Sequence, residues 1–197
     1  MSVSLQKGQK VSLSKDNSGL DKIIIGLGWD EVEKKGGFLS FLSNSTSIDC
    51  DASALLLQDG KLKSTSDIVY FGNLNHSSGA VKHMGDNLTG EGDGDDEQIV
   101  VKLNSLPQNY DKIILIVNIY DPVKRKQDFG MIKNAFIRLV DARNNSEICK
   151  YNLSENYQGA TSMIFGEVYR HSGEWKFNAV GQSTNDTSIS EVARKYR

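Results

Sequence analysis

The chain is punctuated too often to build long elements. Runs rich in Val, Ile, Leu, Phe and Tyr recur throughout, and Gly, Asn, Asp or Ser closes each within a few positions. The clearest are "KVSLS" (10–14), "KIIIGLGW" (22–29), "DASALLLQ" (51–58), "DIVYFG" (67–72), "AVKHM" (80–84) and "EQIVVKLNSL" (97–106). They continue with "KIILIVNIY" (112–120), "AFIRLVDA" (135–142), "EICKYNLS" (147–154), "TSMIFGEVYRH" (161–171) and "EWKFNAVGQ" (174–182). The turn Asp59-Gly60 leads into a further short run, "KLKS", while "ARNNSE" (142–147) and "HSGE" (171–174) read as tight hairpin turns. About ten short strands at this spacing predict an all-β fold, a two-sheet antiparallel β-sandwich. Strands do not alternate with long amphipathic helices, which excludes a doubly wound α/β fold. "DPVKRKQDFGMI" (121–132) has room for one short helix between sheets.

Two segments differ from this pattern. "EKKGGFLSFLSNSTS" (33–47) reads as a Gly/Ser-rich inserted loop that is disordered or tucks Phe38, Leu39, Phe41 and Leu42 onto the body, the sharper alternative being a loop that touches a partner or a membrane surface. "STNDTSISEVARKYR" (183–197) reads as a polar C-terminal tail or a short terminal helix. The domain is therefore placed at residues 1–182.

A chain of 197 residues is long enough to bury a sizeable core. Its net charge of −2 gives no reason to expect nucleic-acid or strong membrane binding. The N-terminus lacks the apolar stretch of a signal peptide, and no apolar run approaches the ~20 residues of a membrane span. A cytoplasmic location is the expectation. Cys50 and Cys149 are too far apart for a CxxC site and read as buried thiols. His76 and His171 fall in turns and are expected to face solvent; Trp29 and Trp175 are expected to anchor the core. Lys124-Arg125-Lys126 is a short basic run.

Charge is unevenly distributed. "GDNLTGEGDGDDEQ" (85–98) holds Asp86, Glu91, Asp93, Asp95, Asp96 and Glu97 with no Lys, Arg or His, and glycines bend it repeatedly. Further acids stand at strand ends: Asp30 after "KIIIGLGW", Asp49 and Asp51 around Cys50, and Asp121 after "KIILIVNIY". A spacing of two on a strand places Asp49 and Asp51 on one face and Cys50 on the other. Strand ends of this kind meet at one end of a sandwich. Two readings stand: a solvated acidic loop, or a cation cage whose hard oxygen ligands, with Asn87 and backbone carbonyls supplying neutral oxygens, suit Ca²⁺ first and Mg²⁺ second. The stretch lacks the spacing of an EF-hand. It also lacks His and Cys, which disfavours Zn²⁺ and copper.

The long acidic motif is similar to the signature of the TerD family of bacterial tellurite-resistance and general-stress proteins. The resemblance extends through "IIIGLGWD" (23–30), "DCDASALLL" (49–57), "NAFIRLVD" (134–141) and "FGEVYRHSGEWKFNAVGQ" (165–182), and covers about Met1 to Gln182. It is strongest to the stress-protein branch of Gram-positive bacteria. It implies a β-sandwich, about two Ca²⁺ ions in loops at one end, and a non-enzymatic stress role in the cytoplasm. The acidic positions it implies are Asp30, Asp49, Asp51, Asp86, Asn87 and Asp93 to Glu97. This chain departs from the shorter family form at 33–47, and Cys50 replaces a common Leu. The partner expected is a protein, one belonging to a membrane-associated stress complex, with a weak membrane-surface contact besides. Two alternatives compete. "DCDAS" (49–53) faintly resembles the nucleophile motif of Mg²⁺-dependent phosphotransfer enzymes, and the metal end could act as a Ca²⁺-dependent membrane-surface module.

Overall fold

The computed structural model describes residues 2–15, 17–31, 47–85, 94–153, 155 and 157–197. Within them the strands are β1 (Val3–Leu5), β2 (Lys10–Ser12), β3 (Lys22–Glu31), β4 (Cys50–Leu57), β5 (Ile68–Val69), β6 (Val81–His83) and β7 (Glu97–Lys102). β8 (Lys112–Ile119) is followed by the single-turn helix α1 (Pro122–Arg125). Then come β9 (Ile132–Asp141), β10 (Ser146–Asn152), β11 (Ser162–His171), β12 (Glu174–Thr184) and the C-terminal helix α2 (Ile189–Arg194).

The strands form two six-stranded sheets. The order in the first is β1-β10-β9-β3-β7-β6, and in the second β2-β12-β11-β8-β4-β5. The pairs are antiparallel except β1 with β10, which run parallel. The expected sandwich is thus the observed architecture, with one short helix where 121–132 left room for it. "KLKS" contributes only an isolated bridge between Gln58 and Lys61.

Alternation along the strands builds the core between the sheets. Ile23, Ile25 and Leu27 of β3, Ile99 and Val101 of β7, and Ile137 and Leu139 of β9 point inward from the first sheet. Ala52, Ala54 and Leu56 of β4, Ile113, Leu115 and Val117 of β8, and Phe165 and Phe177 meet them from the second. Burying each large side chain of this kind stabilises the fold by about 1.5–3 kcal/mol relative to leaving it exposed. Trp29 and Trp175 belong to this core, as expected.

β4 and β8 read as nearly continuous apolar runs because the second sheet is covered on both sides. Its outer face carries Leu55, Leu57, Ile114, Ile116 and Ile164 in a second cluster with Val192 and Ala193 of α2. The stretch 183–197 therefore holds the last residues of β12 and a helix packed on the sheet. Ser188 caps that helix by accepting the Glu191 N–H at 3.3 Å, and Glu191 accepts the Thr187 N–H at 2.7 Å. The hairpins fall where the sequence put them. Ser172 and Gly173 both adopt positive φ, the turn that matches the twist of β11 and β12.

Candidate functional site

β7 begins opposite Leu27, in the second half of β3, since Leu27 pairs with Glu97. β4 begins where β8 ends, since Cys50 pairs with Ile119. Glu97 reaches from β7 to β4 by accepting the Ala52 backbone N–H. The acids before and after these strands consequently gather at one end of the sandwich. They separate there into three groups.

On the outer side of the first sheet stand Asp30, Asp95 and Asp96. The Asp96 carboxylate accepts the Trp29 backbone N–H at 2.8 Å, and the Asp96 N–H donates to Leu27 O at 2.8 Å. Burial holds the Asp96 carboxyl above the ordinary carboxylate range, against the Trp29 hydrogen bond, and the charges of Asp30 and Asp95 add to the rise. Asp30 accepts a hydrogen bond from Asn134 Nδ2 at 2.7 Å. Together with Phe136 and Lys150 these residues line an open cleft of about 490 Å³. Lys150 Nζ sits 3.7 Å from the Phe136 ring centroid.

Asp95 is adjacent in sequence but differently used. Its carboxylate lies over Gly26, in the space that a Cβ would occupy there. It accepts from Arg138 Nε at 2.6 Å and from Gln98 Nε2 at 3.1 Å. The Asp95 side chain is buried under the partly exposed Arg138, so this carboxylate is already engaged by the protein itself.

On the outer side of the second sheet stand Asp49 and Asp51, both buried, while Cys50 turns into the core. That is the alternation their spacing predicts. Arg125 Nη1 lies 3.4 Å from Asp49 Oδ2. Asp51 pairs in register with Asn118, whose Nδ2 donates to Asp51 Oδ2 at 3.4 Å. Asn118 Oδ1 is buried and has no hydrogen-bond partner among the described residues. A neutral oxygen is thus held beside a buried carboxylate.

Glu97 forms the third group, between the sheets. Besides Ala52 it faces His83, with Nε2 to Oε2 at 3.5 Å. The Gly85 N–H donates to His83 Nδ1 at 3.2 Å, which leaves the ring proton for Nε2.

Asp121 is exposed, in a left-handed conformation before α1, with Lys124 Nζ at 3.8 Å. Asp86, Asn87, Glu91 and Asp93 lie outside the described residues, as do 33–46 of the inserted loop. Among the described residues no three His, Cys, Asp or Glu side chains converge as a ready-made metal group. The donors present are nevertheless overwhelmingly oxygens: the carboxylates of Asp30, Asp96, Asp49 and Asp51, and the amide oxygen of Asn118. That set suits a hard cation such as Ca²⁺, and the buried Asn118 oxygen is the structural observation that fits one.

The sequence missed Asn118, although it is the only polar side chain inside the apolar run "IILIVNI" and therefore carried a signal. It also misplaced His76. That ring is buried, with Nε2 3.2 Å from Asp67 Oδ1 and Nδ1 2.7 Å from Ser78 Oγ. Tyr110 donates to the same Asp67 oxygen at 2.8 Å. Ser78 Oγ also accepts the Ala80 N–H at 3.2 Å, so the group knots its own turn together.

Fold and site define an all-β sandwich protein with a group of acids at one end. The TerD domain model matches residues 1–196, and the chain belongs to that family. It is 54% identical over 198 residues to "Stress response protein SCP2" of Bacillus subtilis (strain 168), covering all of both chains. It is 49% identical over 183 residues to "Tellurium resistance protein TerD" of Serratia marcescens, covering 92% of this chain and 91% of that one. The fold is shared with the crystal structure of a homologue of telluride resistance protein (TerD) from Streptomyces coelicolor A3(2). That match has a TM-score of 0.66 at 17% identity, and covers 91% of this chain and 99% of that one. These relatives bear the names of stress and resistance proteins rather than of enzymes. No helix among the described residues is long and apolar enough to cross a membrane.

Proposed function

We propose that this protein is a calcium-binding, non-enzymatic stress-response protein of the cytoplasm. Its acidic end would bind about two Ca²⁺ ions and present a surface to a protein partner in a membrane-associated stress complex. The observation that carries the reading is the buried, unpartnered Asn118 Oδ1 beside Asp51. Asp49, Asp51 and Asn118 would serve one ion, and Asp30 and Asp96 the other. The division of the acids between the outer sides of the two sheets supports two ions rather than one. Bound Ca²⁺ would supply positive charge where these carboxylates repel one another, and it would stabilise the folded state by mass action. Asp95, held by Arg138, and Glu97, held by Ala52 and His83, fit the role of supports better than that of ligands.

A phosphotransfer role for Asp49 and Asp51 has no comparable support. Asp49 lies against Arg125, both acids stand on a β-sandwich face, and the family is named for stress and resistance.

Calorimetric titration with CaCl₂ after EDTA stripping tests the reading. The expected result is about two ions per chain and a rise in melting temperature, with one ion's heat weakened in Asp51→Asn and the other's in Asp96→Asn. No heat and no thermal shift would reject calcium binding.

A further inference from the structure

Calcium binding leaves one exposed feature of the same end unexplained. Two chain reversals stand side by side there. The first, at 70–73, is closed by paired hydrogen bonds between Tyr70 and Asn73 and projects Phe71. The second is α1, entered through Tyr120 and Asp121. Phe71 and Tyr120 touch edge-to-face, with ring centroids 6.5 Å apart. Arg125 stacks on Tyr120, its Cζ 4.9 Å from the ring centroid.

These side chains are unusually open for their chemistry. Phe71 is 42% exposed, Tyr120 46% and Val123, on α1, 71%. Val123 is flanked by Lys124, whose side chain is 84% exposed, and Lys126 is exposed two positions further on. Arg125 pairs with Asp49 and Lys124 lies 3.8 Å from Asp121, so the positive charge offered to a surface is that of the exposed Lys124 and Lys126 side chains. Aliphatic and aromatic side chains on turn tips with lysines beside them combine shallow apolar insertion with attraction to anionic headgroups.

We propose that the 70–73 turn and α1 form a contact site for an anionic lipid bilayer, with Phe71, Tyr120 and Val123 entering the interface and Lys124 and Lys126 facing the headgroups. Two features favour a bilayer over the other partners of such a patch. The most exposed apolar residue is aliphatic, which offers nothing for a nucleic-acid base to stack on. The apolar groups also sit on protruding turns rather than in a groove, so a fluid surface accommodates them without a complementary partner shape. None of the five contact residues is itself a proposed calcium ligand, so the contact operates with or without calcium.

Co-sedimentation with vesicles tests this, run in EDTA and again in Ca²⁺. The full chain is expected to pellet with vesicles of equal parts phosphatidylglycerol and phosphatidylcholine, in both conditions, and to stay in solution with pure phosphatidylcholine. Val123→Asp combined with Phe71→Ser should reduce the bound fraction roughly five-fold or more, because two interfacial anchors are lost. Lys124→Glu with Lys126→Glu should reduce it roughly ten-fold or more. All four positions are exposed, so melting temperatures should stay at the wild-type value, which guards against a folding artefact. Equal pelleting of wild type and variants, or none by the wild type, overturns the proposal. So does concentration-dependent dimerisation, or binding of a single-stranded oligonucleotide, that the same substitutions abolish while vesicle binding is absent.

Discussion

Glu97, the first residue of β7 in one sheet, accepts the backbone N–H of Ala52 in β4 of the other. The reason lies in the length of β5. It pairs only with Ala54 and Leu55, so it stops short of Ala52. A buried backbone N–H left without an acceptor would cost roughly 1–3 kcal/mol. Glu97→Ala should therefore lower stability by about 2–3 kcal/mol in EDTA, measured by urea denaturation. Glu97→Gln keeps an acceptor oxygen and should lose less. Equal losses would show that the contact with His83, and not the Ala52 hydrogen bond, is what matters.

Asp95 depends on Gly26 for its place and on Arg138 for its charge. Gly26→Ala puts a methyl group where the carboxylate lies, and Arg138→Ala leaves a buried carboxylate without its cation. Each should destabilise the protein, Arg138→Ala by about 3 kcal/mol. Neither should change the number of Ca²⁺ ions bound. A calorimetric stoichiometry that falls in Arg138→Ala would move Asp95 from support to ligand.

Hydrogen bonds from the Arg143 side chain hold the Asp141 carboxyl below its ordinary value of 3.8, against a smaller effect of burial in the other direction. In the window between that lowered value and 3.8 the unfolded chain binds more protons than the folded one. Stability from this pair is thus fully present above 3.8 and is lost as pH falls through the folded value. Asp141→Asn should flatten the acid limb of stability against pH below about pH 4. If the limb keeps its slope, other carboxylates control it.

Cys50 and Cys149 are both buried thiols. Burial pushes the Cys149 thiol up to about 12, so it stays protonated at neutral pH. Native protein should react with an aromatic disulfide reagent only after urea is added, when both thiols appear. Rapid labelling without denaturant would contradict this.

Strand periodicity made the sandwich legible, and a spacing of two correctly turned Cys50 inward and Asp51 outward. Asp95 and Asp96 were not separable in the same way. They are neighbours in a run of like residues, and Asp95 is set apart only by Arg138, 43 positions away. The parallel pairing of β1 with β10 is equally long-range, since Val3 meets Cys149. α2 was partly legible. Ser188-Ile189-Ser190-Glu191 is a helix-capping pattern, hidden by the polarity of the surrounding tail. His76 sat among turn residues, and nothing local announced that Asp67 and Tyr110 would close over it.

The helix on the outer face of the second sheet gives the molecule a front and a back. Val192 and Ala193 seal one broad side with an oily layer, while among the described residues the opposite broad side carries a polar cleft against Asp30 and Asp96. An assembly using this protein cannot treat the two sides as equivalent. A fusion or tether placed after Arg197 would emerge from the sealed side and leave the cleft unobstructed.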